Sequence, residues 1–200
     1  MKERRRITFE FAPSCFYIFT DKSEIRILRK VKMSKDNNSA SGFRIRAARE
    51  SDCGTILGFI RELAEFEKLL HEVEATEEML RKNIFEKHTA EVVLAEIDGT
   101  PAGFALFFHN FSTFLGKPGI YLEDLYIKPE FRGKGFGKRL LIYLARLAKD
   151  QDCGRFEWAV LNWNEKAISF YKSMGAKPMN DWTVYRLAGK DLDDAAALPL

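Results

Sequence analysis

The segment Arg132-Gly-Lys-Gly-Phe-Gly-Lys138 constrains this chain more than any other. It stands between an apolar run ending near Ile127 and a helix-period run from Gly135 to Lys149. Phe136, Leu140, Leu141, Leu144, Leu147 and Ala148 share one side of that helix. Glycines between a strand and a helix let the backbone turn tightly and present several N–H groups, backed by the positive end of the helix. Such a nest suits a phosphate or pyrophosphate, with Arg132, Lys134 and Lys138 adding charge. Spacing excludes two common phosphate loops. A Walker loop reads G-x-x-x-x-G-K-[ST], but Gly133 to Gly137 is one residue short and Arg139 follows Lys138. A dinucleotide fingerprint reads G-x-G-x-x-G, but the third glycine comes one residue early. A helix start that merely tolerates glycines is the plain alternative.

The rest of the pattern interleaves strands and helices. Phe43–Ala47 alternates as a half-buried strand does. Ser51 or Asp52 can cap a helix with Ile56, Ile60, Leu63 and Ala64 on its apolar face, and Thr76 opens a second helix through about Phe85. Glu91–Ile97 and Ala102–Phe108 are strand-like and joined by Asp98-Gly99, a tight-hairpin signal. Ile120–Ile127, Phe156–Leu161 and Thr183–Leu187 read as further strands, and Glu165–Ser173 as a short helix. The expected class is α/β with a mixed sheet.

Charge and cysteine usage narrow the possibilities. The net charge is +3, but residues Met1–Gly42 carry +5 and Phe43–Leu200 carry −2. The folded part is therefore not a basic nucleic-acid-binding domain. Residues 1–42 read as a basic, poorly structured N-terminal extension, and residues 43–200 as one domain. A targeting segment or a start at Met33 are the other readings of residues 1–32. No apolar run approaches the length of a membrane helix. Cys15, Cys53 and Cys153 lie far apart, which argues against a disulfide framework or a zinc site and for a reducing, cytoplasmic setting. His71, His88 and His109 have no ligand or triad spacing, so no metal is expected.

Arg132-x-x-Gly135-x-Gly137 fits [RQ]-x-x-G-x-[GA] and resembles the acetyl-CoA loop of the GNAT superfamily of N-acetyltransferases. The neighbours agree: Tyr121-Leu-Glu-Asp-Leu-Tyr-Ile127 precedes the loop. Trp163-Asn164-Glu-Lys-Ala167, Phe170-Tyr171 and Met174-Gly175-Ala176 follow at family spacing. The resemblance covers about Phe43 to Leu187. It implies a GNAT fold, a central mixed twisted sheet flanked by helices, with acetyl-CoA as cosubstrate. On the same basis Arg132, Gly133, Lys134, Gly135, Phe136, Gly137 and Lys138 would hold the pyrophosphate. Leu125, Tyr126 and Ile127 would pair with pantetheine like an extra strand, with the Leu125 N–H facing the developing oxyanion, and Asn164, Glu165, Lys166 and Ala167 would hold the pantetheine arm.

Ile60-Arg-Glu-Leu-Ala-Glu-Phe-Glu67, with Tyr121-Leu-Glu-Asp124, resembles the spermidine/spermine (diamine) acetyltransferases and their relatives acting on thialysine or ornithine. Where polyamine enzymes carry Asp-Pro-Trp, this chain has Ser112-Thr113-Phe114, and its acidic stretch before Trp182 is shortened. A long polycation needs several spaced carboxylates, so a shorter amine with its own carboxylate is favoured. An aliphatic amine has a pKa near 10, so only about one molecule in a thousand is nucleophilic at pH 7, and the site must remove a proton. Glu123 and Asp124 are adjacent on a strand and point to opposite faces. The resemblance assigns Glu123 to the ammonium and the water-relayed proton, and Tyr171 to the thiolate. It adds Phe66, Glu67, Glu157, Trp158 and Ala159 as substrate contacts, and a homodimer with Tyr185 and Leu187 near the interface. A surface salt bridge is the plain reading of Glu123 and Asp124, core packing that of Tyr171, and a helix cap that of Asn164. No Cys or Ser nucleophile is evident, so direct attack in a ternary complex is expected. The rivals are acetylation of a protein lysine or N-terminus, and a non-catalytic acetyl-CoA sensor or RNA- or membrane-tethered module.

Overall fold

The computed structural model describes residues 42–200, so the extension expected over residues 1–42 lies, but for its last glycine, outside the described residues. Five strands form one sheet in chain order: β1 (Phe43–Ala47), β2 (Glu91–Ile97), β3 (Thr100–Ser112), β4 (Lys117–Ile127) and β5 (Arg155–Trp158). The first four pair antiparallel, and β5 joins β4 in parallel, giving the mixed sheet that the sequence implies. Asp98 (φ 50°) and Gly99 (φ 81°) close the β2–β3 hairpin in the left-handed conformations that a tight turn between twisted strands requires.

Helices cover both faces. Against one face α1 (Cys53–Phe66) buries Ile56 and Phe59 with Val92, Leu94, Phe104 and Tyr126. Thr76 caps α2 (Glu77–Leu80) by accepting the Met79 N–H at 3.2 Å, and one π-helical turn, Arg81–Glu86, continues it. On the opposite face α3 (Phe136–Asp150) buries Leu140, Leu141, Leu144 and Leu147. Its Gly137 lies against Leu125 and Ile127 of β4. The helices α4 (Glu165–Ser173) and α5 (Gly189–Ala196) bury no residue.

An ionic lock ties β1 to β2 and to the start of α1. Buried Glu96 accepts from Arg44 Nε at 3.0 Å and Arg46 Nε at 2.6 Å. Arg46 also grips both oxygens of Asp52, at 2.6 and 2.9 Å. Burial alone would raise the Glu96 carboxyl, but the two guanidiniums hold it below its ordinary value. Arg46 does the same to Asp52.

Three expectations are corrected. Asp52 does not cap α1 with its side chain; its carboxylate accepts the Arg49 N–H at 2.7 Å and is committed to Arg46. The strand expected over Phe156–Leu161 stops at Trp158, because the chain then leaves β4 for the turn before Asn164. Thr183–Leu187 is no strand. Its β-branched and aromatic residues suit a strand, but a strand needs an edge to pair with, and Val184 and Tyr185 are 86% and 92% exposed. The sequence reading missed α5, a short helix that buries no residue and is held by a Lys190–Asp194 pair one turn apart.

Candidate active site

The site begins where β4 and β5 part. They pair only over Gly119–Leu122 and Arg155–Trp158, while β4 runs on to Ile127. The β3–β4 register shifts between Leu106 and Phe107, leaving Glu123 as the extra residue of a bulge, which bends and twists the strand. Among the described residues the edge of Glu123–Ile127 away from β3 therefore pairs with no strand, and its N–H and C=O groups can pair with an extended ligand. Leu125, Tyr126 and Ile127 lie along this open edge.

The glycine loop follows at once. Gly133 (φ 77°) and Gly135 (φ 80°) are left-handed, and a β-carbon at either would meet nothing, so backbone conformation rather than space requires glycine there. The first bond at the head of α3 runs from the Arg139 N–H to the Gly135 carbonyl at 3.1 Å. The N–H groups of Phe136, Gly137 and Lys138 precede it and point out of the helix end, as an anion nest needs. Lys134 and Lys138 are exposed beside them. Arg132 is turned elsewhere: its Nε donates to the Ile127 carbonyl at 2.8 Å, and its guanidinium lies 5.1 Å from the Phe66 ring and 5.3 Å from the Tyr126 ring. Across the slot Asn164 caps α4, its Oδ1 accepting the Ala167 N–H at 3.3 Å, which leaves Nδ2 as a donor. Glu165 adds its carboxylate to that helix's first turn; Lys166 follows it.

Carboxylates gather on the α1 side. The register puts Asp124 and Tyr126 opposite Leu106 and Phe104, on the face that α1 covers. Burial, with Glu123 and Glu67 adding repulsion, pushes the Asp124 carboxyl up to about 6. Burial raises Glu67, just past the end of α1, as well. Glu123 stands exposed on the bulge. A half-buried carboxyl that titrates near neutrality is matched to proton transfer, and the sequence could not reveal it. Tyr126 is locked in place, its hydroxyl donating to Glu62 at 2.9 Å, and burial with that carboxylate raises its phenol to about 12.

The remaining candidates fall on both sides of the slot. Tyr171 on α4 lies 5.0 Å from the Trp158 ring, and burial raises its phenol above the ordinary value, so it stays protonated at neutral pH. Phe66 sits 5.7 Å from the Trp163 ring. Glu157 is already engaged, with Asn110 Nδ2 and Arg155 Nε both at 2.9 Å. Ala159 is exposed beyond the end of β5. The described residues also line a cavity at the start of α1, with Glu50, Cys53, Glu77 and Arg81 in its wall. It lies about 20 Å along the helix from Phe66, away from the open edge and the glycine loop.

Comparison with known proteins places the chain among acetyltransferases. Residues 58–176 match the Acetyltransferase (GNAT) family. Thialysine N-epsilon-acetyltransferase of Mus musculus is 41% identical over 165 residues, covering 76% of this chain and 96% of its own length. L-ornithine N5-acetyltransferase of Arabidopsis thaliana is 33% identical over 195 residues, covering 74% of this chain and 86% of its own. An integron cassette protein from the mobile metagenome of V.cholerae superposes with a TM-score of 0.68 at 27% identity, over 78% of this chain and 99% of that one.

Proposed function

The chain belongs to the Acetyltransferase (GNAT) family, and from that premise we propose that it moves the acetyl group of acetyl-CoA to a primary amine of a small amino acid of the thialysine or ornithine kind. The observation that carries the reading is the open edge of Glu123–Ile127 beside the left-handed Gly133 and Gly135. An extended pantetheine arm fits the edge, a pyrophosphate fits the N–H groups heading α3, and Nδ2 of Asn164 meets the arm from the far side. The relatives' printed substrates and the absence of an Asp-Pro-Trp segment both favour an amine shorter than spermidine.

Acetyl-CoA supplies an activated acyl group, and the residues supply the rest. Glu67, Glu123 and Asp124 receive the ammonium. Asp124, with Glu123 relaying through water, accepts the proton that frees the amine's lone pair. The Leu125 N–H donates to the acetyl oxygen as negative charge builds there. When the C–S bond breaks, the Tyr171 hydroxyl gives its proton to the sulfur; a second proton leaves the new amide nitrogen for solvent. Trp158 and Phe66 wall the passage, while Glu157, held by Arg155 and Asn110, shapes its floor. No step uses a metal.

The reading places catalysis in residues 43–200 of a homodimer in the cytoplasm. The apolar run Trp182, Val184, Tyr185 and Leu187 is exposed in one copy, and a second copy would bury it. The free thiols Cys53 and Cys153 suit a reducing setting. Thiol release from acetyl-CoA across spermidine, putrescine, ornithine, lysine, thialysine and a lysine peptide tests the substrate. Turnover of thialysine or ornithine above spermidine is expected. Preference for the peptide would move the reading to a protein substrate.

A further inference from the structure

The glycine loop has little of its own to hold it. Gly133 and Gly135 carry no side chain, and the space a β-carbon would take at either is open. Its root is fixed instead through Arg132. The guanidinium is planar and can hydrogen-bond along its edge while stacking with its faces. Here Nε is spent on the Ile127 carbonyl at 2.8 Å, and the rings of Phe66 and Tyr126 lie at 5.1 and 5.3 Å. Each neighbour is itself tied down. Tyr126 is held by Glu62 of α1, and Phe66 leans on Trp163 at 5.7 Å, one residue before Asn164. A continuous row, Trp163–Phe66–Arg132–Tyr126, thus joins the head of α4, the end of α1 and the root of the loop.

We propose that Arg132 is a positioning residue that couples the C-terminal end of α1 to the glycine loop, so that Phe66 governs CoA affinity without touching CoA. The inference rests on the acetyl-CoA reading above. It assigns Arg132 a role distinct from that of a charge on the pyrophosphate. It also gives Phe66 a second duty beside lining the amine passage, through which amine and CoA sense each other.

The two roles separate by chemistry. A lysine keeps the positive charge but loses the plane, the fork and the stacking faces. CoA binding to the full chain is measured by calorimetry for wild type, Arg132→Lys, Phe66→Leu, Phe66→Tyr and the Arg132→Lys/Phe66→Leu pair. Phe66 is 43% exposed, so Leu there leaves the core intact. Arg132→Lys and Phe66→Leu should each weaken CoA about fivefold and the pair no more than about fivefold, since both remove the same support. Phe66→Tyr, which keeps the ring, should stay within about twofold of wild type. Wild-type affinity in Arg132→Lys would overturn the proposal, and so would single effects that multiply to about twenty-fivefold. A wild-type protein that binds no CoA would instead remove the acetyl-CoA reading on which the proposal stands.

Discussion

At one end of the sheet, β1 and β2 are clamped by Glu96 between Arg44 and Arg46, and α1 closes over an apolar cluster that excludes water from Ile56, Leu94 and Phe104. At the other end, β5 pairs for only four residues, α4 buries none, and Trp182 to Leu187 stands in solvent. The same chain builds a closed scaffold and an open mouth. An acetyl-transfer site needs an unpaired strand edge and a carboxyl held out of water, and both cost stability where they occur. The closed end supplies the stability that the open end gives up.

Breaking the closed end should have the largest effect. Arg46→Ala strips Asp52 of its guanidinium and leaves buried Glu96 with one exposed partner, Arg44. A loss of about 3 kcal/mol is expected, because a buried charge is left short of a partner. The melting temperature should fall by about 8 °C, with kcat unchanged below the transition. Both carboxyls have folded pKa values held below their unfolded ones. Their stabilisation is therefore present above the unfolded values and is lost as pH falls through the folded ones, and Arg46→Ala should flatten that acid-side loss.

At the open end the same size of change should appear in rate instead. Tyr171→Phe keeps the ring beside Trp158 and removes the proton donor. A fall of about a hundredfold in kcat is expected, with KM for acetyl-CoA and the melting temperature little changed. The smallest effect belongs to Trp182→Ala. The side chain is 69% exposed, so the fold should lose less than about 0.5 kcal/mol. Sedimentation should nonetheless show a dimer weakened toward monomer, which separates a docking surface from an idle tail.

The contrast between the ends also decides what was legible in the sequence. The Asp98-Gly99 turn, the apolar face of α3 and the glycine loop all follow from local rules: backbone conformations that few residues adopt, and helical spacing. Asp124 was not legible. Its raised pKa depends on its burial and on the repulsion of Glu123 on the bulge and of Glu67, more than fifty positions away, and none of these leaves a local mark. Arg132 read as one more cation of the loop, because spacing cannot say that its guanidinium lies 5.1 Å from the Phe66 ring and 5.3 Å from the Tyr126 ring. Thr183–Leu187 misled for the opposite reason. Its β-branched and aromatic residues suit a strand, but a strand is a property of two partners.

Asp124→Asn, assayed for stability and turnover on the same sample, tests the trade between scaffold and mouth most directly. The folded pKa of Asp124 is raised to about 6, so the native state gains from its proton at low pH and loses that gain as pH rises through 6. Well above pH 6 the ionised carboxylate costs about 3 kcal/mol, which the amide does not. At pH 8 the variant should melt higher than wild type while kcat falls about a hundredfold. A variant that melts lower, or turns over as fast as wild type, would contradict the claim that this end exchanges stability for chemistry.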